Sequence, residues 1–142
     1  MAVYSIANRT TNVTIANPCI EIIAGATIRV KIVEISIILA GATACTFGIG
    51  RPAAIGITPT TPVTALPEDI VDPTGPFTTA LAWATPPTVP AAFLRRATLA
   101  AAVGAGIVFP FPKGFYIEAS KSIVVWNITT TDVADINVVC EI

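Results

Sequence analysis

The segment TIRVKIVEISIIL (residues 27–39) alternates apolar and other side chains with the period of two that is typical of a β-strand. The apolar positions form two sets, first Ile28, Val30 and Ile32, and then Val33, Ile35, Ile37 and Leu39. The phase therefore slips by one residue at residues 32–33. This slip predicts either a β-bulge or a bend where one strand passes between two sheets. Long bent strands of this kind occur in β-sandwiches.

The rest of the chain repeats the pattern in short runs rich in Ile, Val and Thr, separated by proline and glycine. Further strands are predicted at residues 3–7, 19–24, 42–49, 78–85, 94–99, 106–109, 115–117, 122–128 and 136–142. Segment 122–128 is apolar on both faces, which predicts a strand covered on both sides. Helix signals are weak, since β-branched residues and proline dominate. We therefore expect an all-β protein, an antiparallel β-sandwich with long proline-rich loops, whose strand count suits a jelly roll.

The composition is rich in apolar residues and poor in charge. Hydrophobic residues make up 54% of the 142 residues and charged residues 12%, about half the usual charged share of a soluble domain. The length fits one domain, so residues 1–142 are predicted to form a single β-sandwich. Monomers rarely leave large apolar surfaces in water, so the excess indicates surface that contacts other proteins. No apolar run is suited to a transmembrane helix, and residues 1–14 do not have the pattern of a signal peptide; we expect a soluble chain with no membrane partner.

Several kinds of chemistry are missing from the sequence. The chain has no histidine, which removes the commonest general base and the usual serine or cysteine triads. Its net charge is −1 and its basic residues are scattered, which argues against a nucleic-acid partner. Cys19, Cys45 and Cys140 show no close spacing and are predicted to be buried free thiols. We therefore predict that the protein is not an enzyme and has no cofactor or metal.

Two proline-rich stretches interrupt the strand pattern, residues 57–77 and residues 85–90. Loops of this length usually reach a partner or form a site, and proline lowers the entropy lost when they dock. The first stretch carries the only acidic cluster, which lacks the spacing of an EF-hand calcium loop. Residues 1–18 are predicted to form an N-terminal arm. We expect this arm and residues 57–77 to make the partner contacts.

The candidate partner-binding side chains are charged residues in these segments and on the predicted strands, namely Arg9, Arg51, Glu68, Asp69, Asp72, Arg95 and Arg96. Arg95 and Arg96 are adjacent on a predicted strand, so one of them should face outward, where it can pair with a carboxylate of a neighbouring subunit. Four aromatic residues are expected to be core or oligomer anchors because of their apolar contexts, namely Trp83, Trp126, Phe109 and Phe111.

Six segments together resemble small phage virion proteins of the head-decoration or cement type. They are IRVKIVEI (28–35), GIGRP (48–52), WATPPTVP (83–90), FLRR (93–96), GAGIVF (104–109) and SIVVWN (122–127). The resemblance implies a β-sandwich or jelly-roll subunit, a trimer or dimer, bound over the seams between major capsid proteins. It also implies synthesis in the host cytoplasm and a final location on the capsid surface of the virion.

Two alternatives remain open. The first is a carbohydrate-binding surface module in which Trp83 or Trp126 stacks on sugar rings beside the loop acids. The second is another minor structural subunit of the capsid or tail. Loss of glycan binding on substitution of either tryptophan would favour the first, and copy number per particle separates the structural roles.

Overall fold

The computed structural model describes residues 1–10 and 15–142, and this part of the chain contains twelve β-strands and no helix. The strands coincide with runs rich in β-branched residues, whose side chains pack well on a pleated surface. In chain order they are β1 (Val3–Arg9), β2 (Pro18–Ala24), β3 (Val30–Leu39), β4 (Cys45–Gly50), β5 (Ile57–Thr60), β6 (Leu66–Pro67), β7 (Phe77–Ala80), β8 (Ala82–Thr85), β9 (Phe93–Leu99), β10 (Gly106–Ile117), β11 (Ser122–Asn127) and β12 (Ala134–Glu141).

Ten of these strands form two antiparallel sheets. Sheet A has the order β10–β3–β12–β1–β6, and sheet B has the order β7–β2–β11–β4–β9. Strands β5 and β8 pair with each other as a separate two-stranded ribbon. The inner faces of the two sheets share one apolar core, to which the alternate residues Ala134, Ile136, Val138 and Cys140 of β12 contribute. The predicted all-β antiparallel sandwich is confirmed.

The predicted phase slip in β3 is a β-bulge at Val33. Ile32 pairs with Cys140 of β12, whereas Glu34 pairs with Val139, so Val33 is the extra residue between them. A bulge of one residue lets the apolar positions on both sides of it face the same core. Strand β3 stays within sheet A, and the alternative of a strand that passes between the two sheets is wrong.

Some strand boundaries differ from the prediction. Residues 78–85 form two strands rather than one, because β7 belongs to sheet B while β8 pairs with β5. Conversely, residues 106–109 and 115–117 belong to the single strand β10, which pairs with β3 on both sides of an interruption. The proline-rich residues 57–77 contain the short strands β5 and β6 and the start of β7.

The predicted N-terminal arm over residues 1–18 is wrong for β1, which is an integral strand of sheet A. It pairs with β12 along its whole length and with β6 on its other side. Tyr4 and Ile6 are buried in the core, so this segment is not available to reach a partner. Residues 11–14 of the predicted arm lie outside the described residues.

The outer face of sheet B is covered by residues 52–62 and 82–92, here called the proline cover. Gly50 of β4 leaves room for it, because a Cβ on Gly50 would lie 2.7 Å from the side chain of Pro90. Glycine in a strand often marks such a close approach of another segment. Strand β11, at the centre of sheet B, is consequently buried on both faces, as predicted.

Candidate functional site

A pocket of about 380 Å³ lies at one side of the sandwich and is here called the edge pocket. It is lined by Leu94 and Arg95 of β9 and by residues 111–115 of β10, which are the edge strands of sheets B and A. The pocket exists because β10 is interrupted: Pro110 pairs with Glu34 and Phe115 pairs with Ile32, which leaves residues 111–114 without a partner in β3. These four residues are therefore free to form a wall of the pocket.

Two aromatic rings, those of Phe111 and Phe115, form the apolar lining of this wall. The rings of Phe111 and Phe115 meet edge to face, with 4.6 Å between centroids and an interplanar angle of 77°. Arg95 lies with its Cζ 5.2 Å from the Phe111 centroid, and Arg51 lies with its Cζ 5.7 Å from the Phe115 centroid. Cation–π contacts of this kind hold guanidinium groups over apolar surface. The pocket thus combines an aromatic wall with positive charge.

The positive charge on this side of the molecule has no carboxylate partner among the described residues. The described salt bridges join other cations, in the pairs Arg9–Asp135, Arg29–Glu118 and Lys31–Glu141. Arg51 Nη2 instead donates to the carbonyl of Tyr116 (3.1 Å), and Arg95 Nη1 donates to the carbonyl of Leu94 (2.8 Å). Backbone carbonyls do not neutralise a guanidinium charge, so this edge remains cationic.

The acidic residues predicted to bind a partner lie in a loop at the opposite edge of sheet A. The loop, residues 68–72, directly follows β6 and is here called the acidic loop. Its base is tied to β1: the Glu68 amide donates to the carbonyl of Val3 (2.8 Å), and Ser5 Oγ donates to Glu68 Oε1 (2.6 Å). The hydroxyl of Tyr4 donates to the carbonyl of Pro73 (2.9 Å). Both ends of the acidic loop are therefore anchored to the sheet.

A tight turn shapes the acidic loop itself. The amide of Val71 donates to Asp69 Oδ1 (3.1 Å), and the amide of Asp72 donates to the Asp69 carbonyl (3.0 Å). The turn projects two aliphatic side chains into solvent, with Ile70 94% exposed and Val71 81% exposed. The loop thus presents an apolar tip between carboxylates on an anchored base.

The predicted partner-binding residues fall into four separate places. Arg51 and Arg95 contact the edge-pocket aromatics. Arg96 follows Arg95 on β9 and therefore lies on the other face of that strand. Glu68, Asp69 and Asp72 belong to the acidic loop. Arg9 forms a salt bridge with Asp135 (Nε to Oδ1, 2.7 Å), and its hydrogen bond and charge lower the pKa of Asp135. The structure does not bring the seven residues into one site.

We expected one of Arg95 and Arg96 to face outward, and both are exposed. Among the aromatic residues, Phe109, Phe111 and Trp126 are buried, as expected for core anchors. The indole N–H of Trp126 donates to the carbonyl of Ile15 (3.0 Å). Trp126 is therefore not an exposed platform for a sugar ring.

Sequence reasoning missed the buried carboxyl group of Glu21. Glu21 lies on β2 and is fully buried. Its carboxyl oxygens accept hydrogen bonds from Trp83 Nε1 (2.6 Å), Ser122 Oγ (2.6 Å) and the amide of Gly56 (3.1 Å). Two of these donors belong to the proline cover, so Glu21 fastens the cover to sheet B. The only signal in the sequence was one carboxylate inside the apolar run CIEIIA.

Sequence reasoning also missed Lys113 and Phe115 of the edge pocket. The run FPFPKGF (residues 109–115) contains the available signal. Proline cannot donate to a sheet ladder and glycine permits a turn, so such a run predicts an interruption at a sheet edge. It does not predict which strand lies opposite.

All three cysteines are buried and free, as predicted. Among residues 1–10 and 15–142, no group of three or more Cys, Asp or Glu side chains is placed to hold a metal ion. No helix capable of spanning a membrane occurs in the part of the chain that the structure describes.

Comparison with known proteins found no matching family model, no similar curated protein and no similar solved structure. The class of protein is therefore described by its fold and its surfaces alone. It is a small antiparallel β-sandwich with a cationic, aromatic pocket on one edge and an anchored acidic loop on the other.

Proposed function

We propose that this chain is a structural virion protein that binds the outside of a phage capsid and stabilises it by bridging neighbouring capsomers. The observation that carries the proposal is the apolar outer surface of the proline cover. Ile55, Ile57 and Val89 are exposed there, although the other side of the cover packs on sheet B. Apolar side chains gathered on one surface mark sites of protein contact. The resemblance of six segments to decoration proteins supports the same function.

The proline cover is suited to this role because it is held rigidly before binding. The carboxyl group of Glu21 on sheet B accepts hydrogen bonds from Gly56 and Trp83 of the cover. The amide of Ala54 donates to Thr88 Oγ1 (2.9 Å), and the amide of Thr88 donates to the Ala54 carbonyl (3.1 Å), which joins the two halves of the cover. A surface that is already ordered loses little conformational entropy when it docks.

The capsid would be stabilised by the interface area that each subunit buries against several capsomers. A standard protein interface buries about 1,600 Å². A subunit that bridges several capsomers also gains avidity, because each further contact is intramolecular. No catalytic step is needed for this role.

The strand order supports the jelly-roll arrangement expected from the sequence. Without the outer strands β6 and β7, the sheets have the orders β1–β12–β3–β10 and β2–β11–β4–β9. From β1 to β4, and from β9 to β12, each strand lies in the opposite sheet from the one before it. Eight strands in two sheets form the jelly roll found in viral capsid and lectin domains. Because the same fold serves both kinds of protein, the functional argument rests on the surface.

The carbohydrate-binding alternative has less support. Trp126 is buried, and the indole N–H of Trp83 is already bonded to Glu21. The half-buried face of Trp83 is then the only tryptophan surface among the described residues that is left for a sugar ring.

Density-gradient sedimentation of the source lysate, with quantitative mass spectrometry of each fraction, tests the proposal. We expect the protein in DNA-filled heads at a fixed ratio to the major capsid protein. A few copies per particle would instead indicate a minor capsid or tail subunit. Recovery in the soluble fractions alone would contradict a virion role and direct attention to glycan binding.

A pair of variants tests the proline cover as the contact surface. Ile57 of β5 is 59% exposed and Val108 of β10 is 54% exposed, so either accepts a polar side chain without loss of core packing. We expect Ile57→Asp to weaken binding to heads stripped of the protein by at least about tenfold, or about 1.4 kcal/mol. Val108→Asp should bind like the wild type. Equal binding by both variants would exclude this surface.

A further inference from the structure

We infer that the acidic loop of one copy inserts its apolar tip into the edge pocket of a second copy, which joins the chains head to tail. This inference deepens the expectation of a trimer or dimer that the resemblance to decoration proteins implies, and it rests on the proposed function. It identifies the two surfaces that meet and the arrangement of subunits that follows.

The apolar parts of the two surfaces match. The tip of the acidic loop offers Ile70 and Val71, both almost fully in water. The edge pocket offers the rings of Phe111 and Phe115 beside Leu94. Its volume of about 380 Å³ lies at the lower end of the range for ligand pockets, about 300–1,000 Å³, which suits a few side chains. Burial of the tip removes apolar surface from water on both partners.

The charges of the two surfaces are complementary. Three of the eight cations in the sequence form salt bridges within the described chain. Three of the remaining five lie in or beside the edge pocket, namely Arg51, Arg95 and Lys113. The acidic loop contributes three carboxylates, and none of them forms a salt bridge among the described residues. The chain is thus nearly neutral overall while its two edges carry opposite charge, which steers subunits into one orientation.

The acidic loop is also ordered before it binds. Its base is bonded to β1, and its turn is closed by Asp69. An exposed aliphatic pair on an anchored turn costs little entropy to dock.

The positions of the two surfaces determine how subunits assemble. The acidic loop follows β6 and the edge pocket adjoins β10, and these strands lie at opposite edges of the five-stranded sheet A. At about 4.8 Å per strand, the edges are roughly 19 Å apart. A tip at one edge and a pocket at the other make a head-to-tail contact. Such a contact generates a closed ring where the rotation between subunits closes and an open filament where it does not. A closed ring of three or more subunits is the form that suits the small oligomer implied by the resemblance to decoration proteins.

A complementation experiment tests this contact. The tip variant carries Ile70→Asp and Val71→Asp, and the pocket variant carries Arg95→Glu and Lys113→Glu. All four residues are exposed, so both variants should fold. By light scattering after size exclusion, we expect the full chain to form a ring of at least three subunits and each variant alone to be a monomer. An equimolar mixture should form a 1:1 dimer, because only one intact tip and one intact pocket then remain.

Two substitutions serve as matched controls. Val103→Asp adds a charge to an exposed aliphatic residue, and Lys121→Glu reverses a cation that does not line the edge pocket. Both should assemble like the wild type. A monomeric wild type, variants that remain oligomeric, or a mixture that stays monomeric would each overturn the inference. The inference is also overturned if the wild type is monomeric and its edge pocket binds an acidic segment of another protein.

The same samples separate this inference from the proposed function. A wild-type protein that is monomeric but cofractionates with heads overturns the head-to-tail contact alone. A wild-type ring that never enters heads overturns the virion role alone.

Discussion

Glu21 is the residue on which the outer layer of the molecule depends. Its carboxyl group lies under the proline cover and accepts hydrogen bonds from a tryptophan, a serine and a backbone amide. Buried donors that lose their acceptor lose the free energy of hydrogen bonding to water without compensation. One side chain on β2 therefore couples sheet B to the surface proposed for capsid binding.

Substitution of this residue tests the coupling. Glu21→Gln places an amide N–H₂ group among donors, and we expect the free energy of unfolding to fall by about 1–3 kcal/mol. Glu34→Gln is the matched control, since Glu34 is half-buried and accepts none of the described side-chain hydrogen bonds. Urea unfolding followed by circular dichroism gives both values. Equal stability of the two variants would contradict a structural role for Glu21.

The thiols are a second feature at the scale of single residues. Burial raises the pKa of Cys19 to about 12 and that of Cys140 to about 12. Because the thiolate is the reactive form, we expect almost no labelling by an aromatic disulfide reagent at pH 8 in the native protein. Unfolding in guanidinium should expose three equivalents per chain. Rapid labelling of the native protein would show that these thiols are accessible.

At the scale of elements, the interruption of β10 opposite the bulge of β3 creates the edge pocket. Gly114 closes the interruption with a positive φ of 65°, a conformation that an L side chain adopts only with strain. A Cβ at this position would also lie 2.6 Å from Cγ of Lys31, which forms a salt bridge with Glu141 (2.8 Å). Position 114 therefore favours glycine for two reasons: glycine adopts the positive φ without strain, and it has no Cβ to collide with Lys31.

A comparison of two glycines separates these effects. Gly104 also has a positive φ, 85°, but no atom lies within 4 Å of a Cβ built there. We expect Gly104→Ala to lower the free energy of unfolding by about 1–2 kcal/mol, from backbone strain alone. Gly114→Ala should cost at least about 1 kcal/mol more, because Lys31 must move. Thermal and urea unfolding measure both, and an equal loss would show that Lys31 yields freely.

At the scale of the whole molecule, two carboxylates at the start of β12 add electrostatic stabilisation to the pairing and burial of this strand in sheet A. Asp132 accepts hydrogen bonds from the amides of Thr43 (2.7 Å) and Val133 (2.8 Å), and these bonds lower its pKa. The hydrogen bond and charge of Arg9 lower the pKa of Asp135. Strand β12 lies between β3 and β1, so its detachment would open sheet A.

The lowered pKa values predict how stability depends on pH. Both folded values lie below the ordinary value of 3.8. The carboxylates therefore stabilise the fold fully above about pH 5, and this contribution is lost as the pH falls through the folded pKa values. Urea midpoints measured from pH 6 to pH 2 should fall most steeply below pH 4. Asp132→Asn should show a shallower fall, and a midpoint that stays constant down to pH 2 would contradict the prediction.

The sequence by itself determined the features that depend on local pattern. Period-two alternation located β2, β3, β11 and β12, and the slip of phase located the bulge at Val33. The buried, free state of the three cysteines was also predicted, because they show no close spacing and free cysteine is among the most buried residue types. These features are readable because side-chain direction in a strand depends only on position along that strand.

Only the tertiary structure decided which surfaces meet. Glu21 and Ser122 are 101 residues apart, and the edge pocket joins β9 of one sheet to β10 of the other. The residues 3–9 predicted as part of an arm became an inner strand because β12 and β6 lie on either side of them. Alternation tells which face of a strand is buried but not which strand lies beside it. Strand neighbours are set by the packing of the whole chain, so no local pattern encodes them.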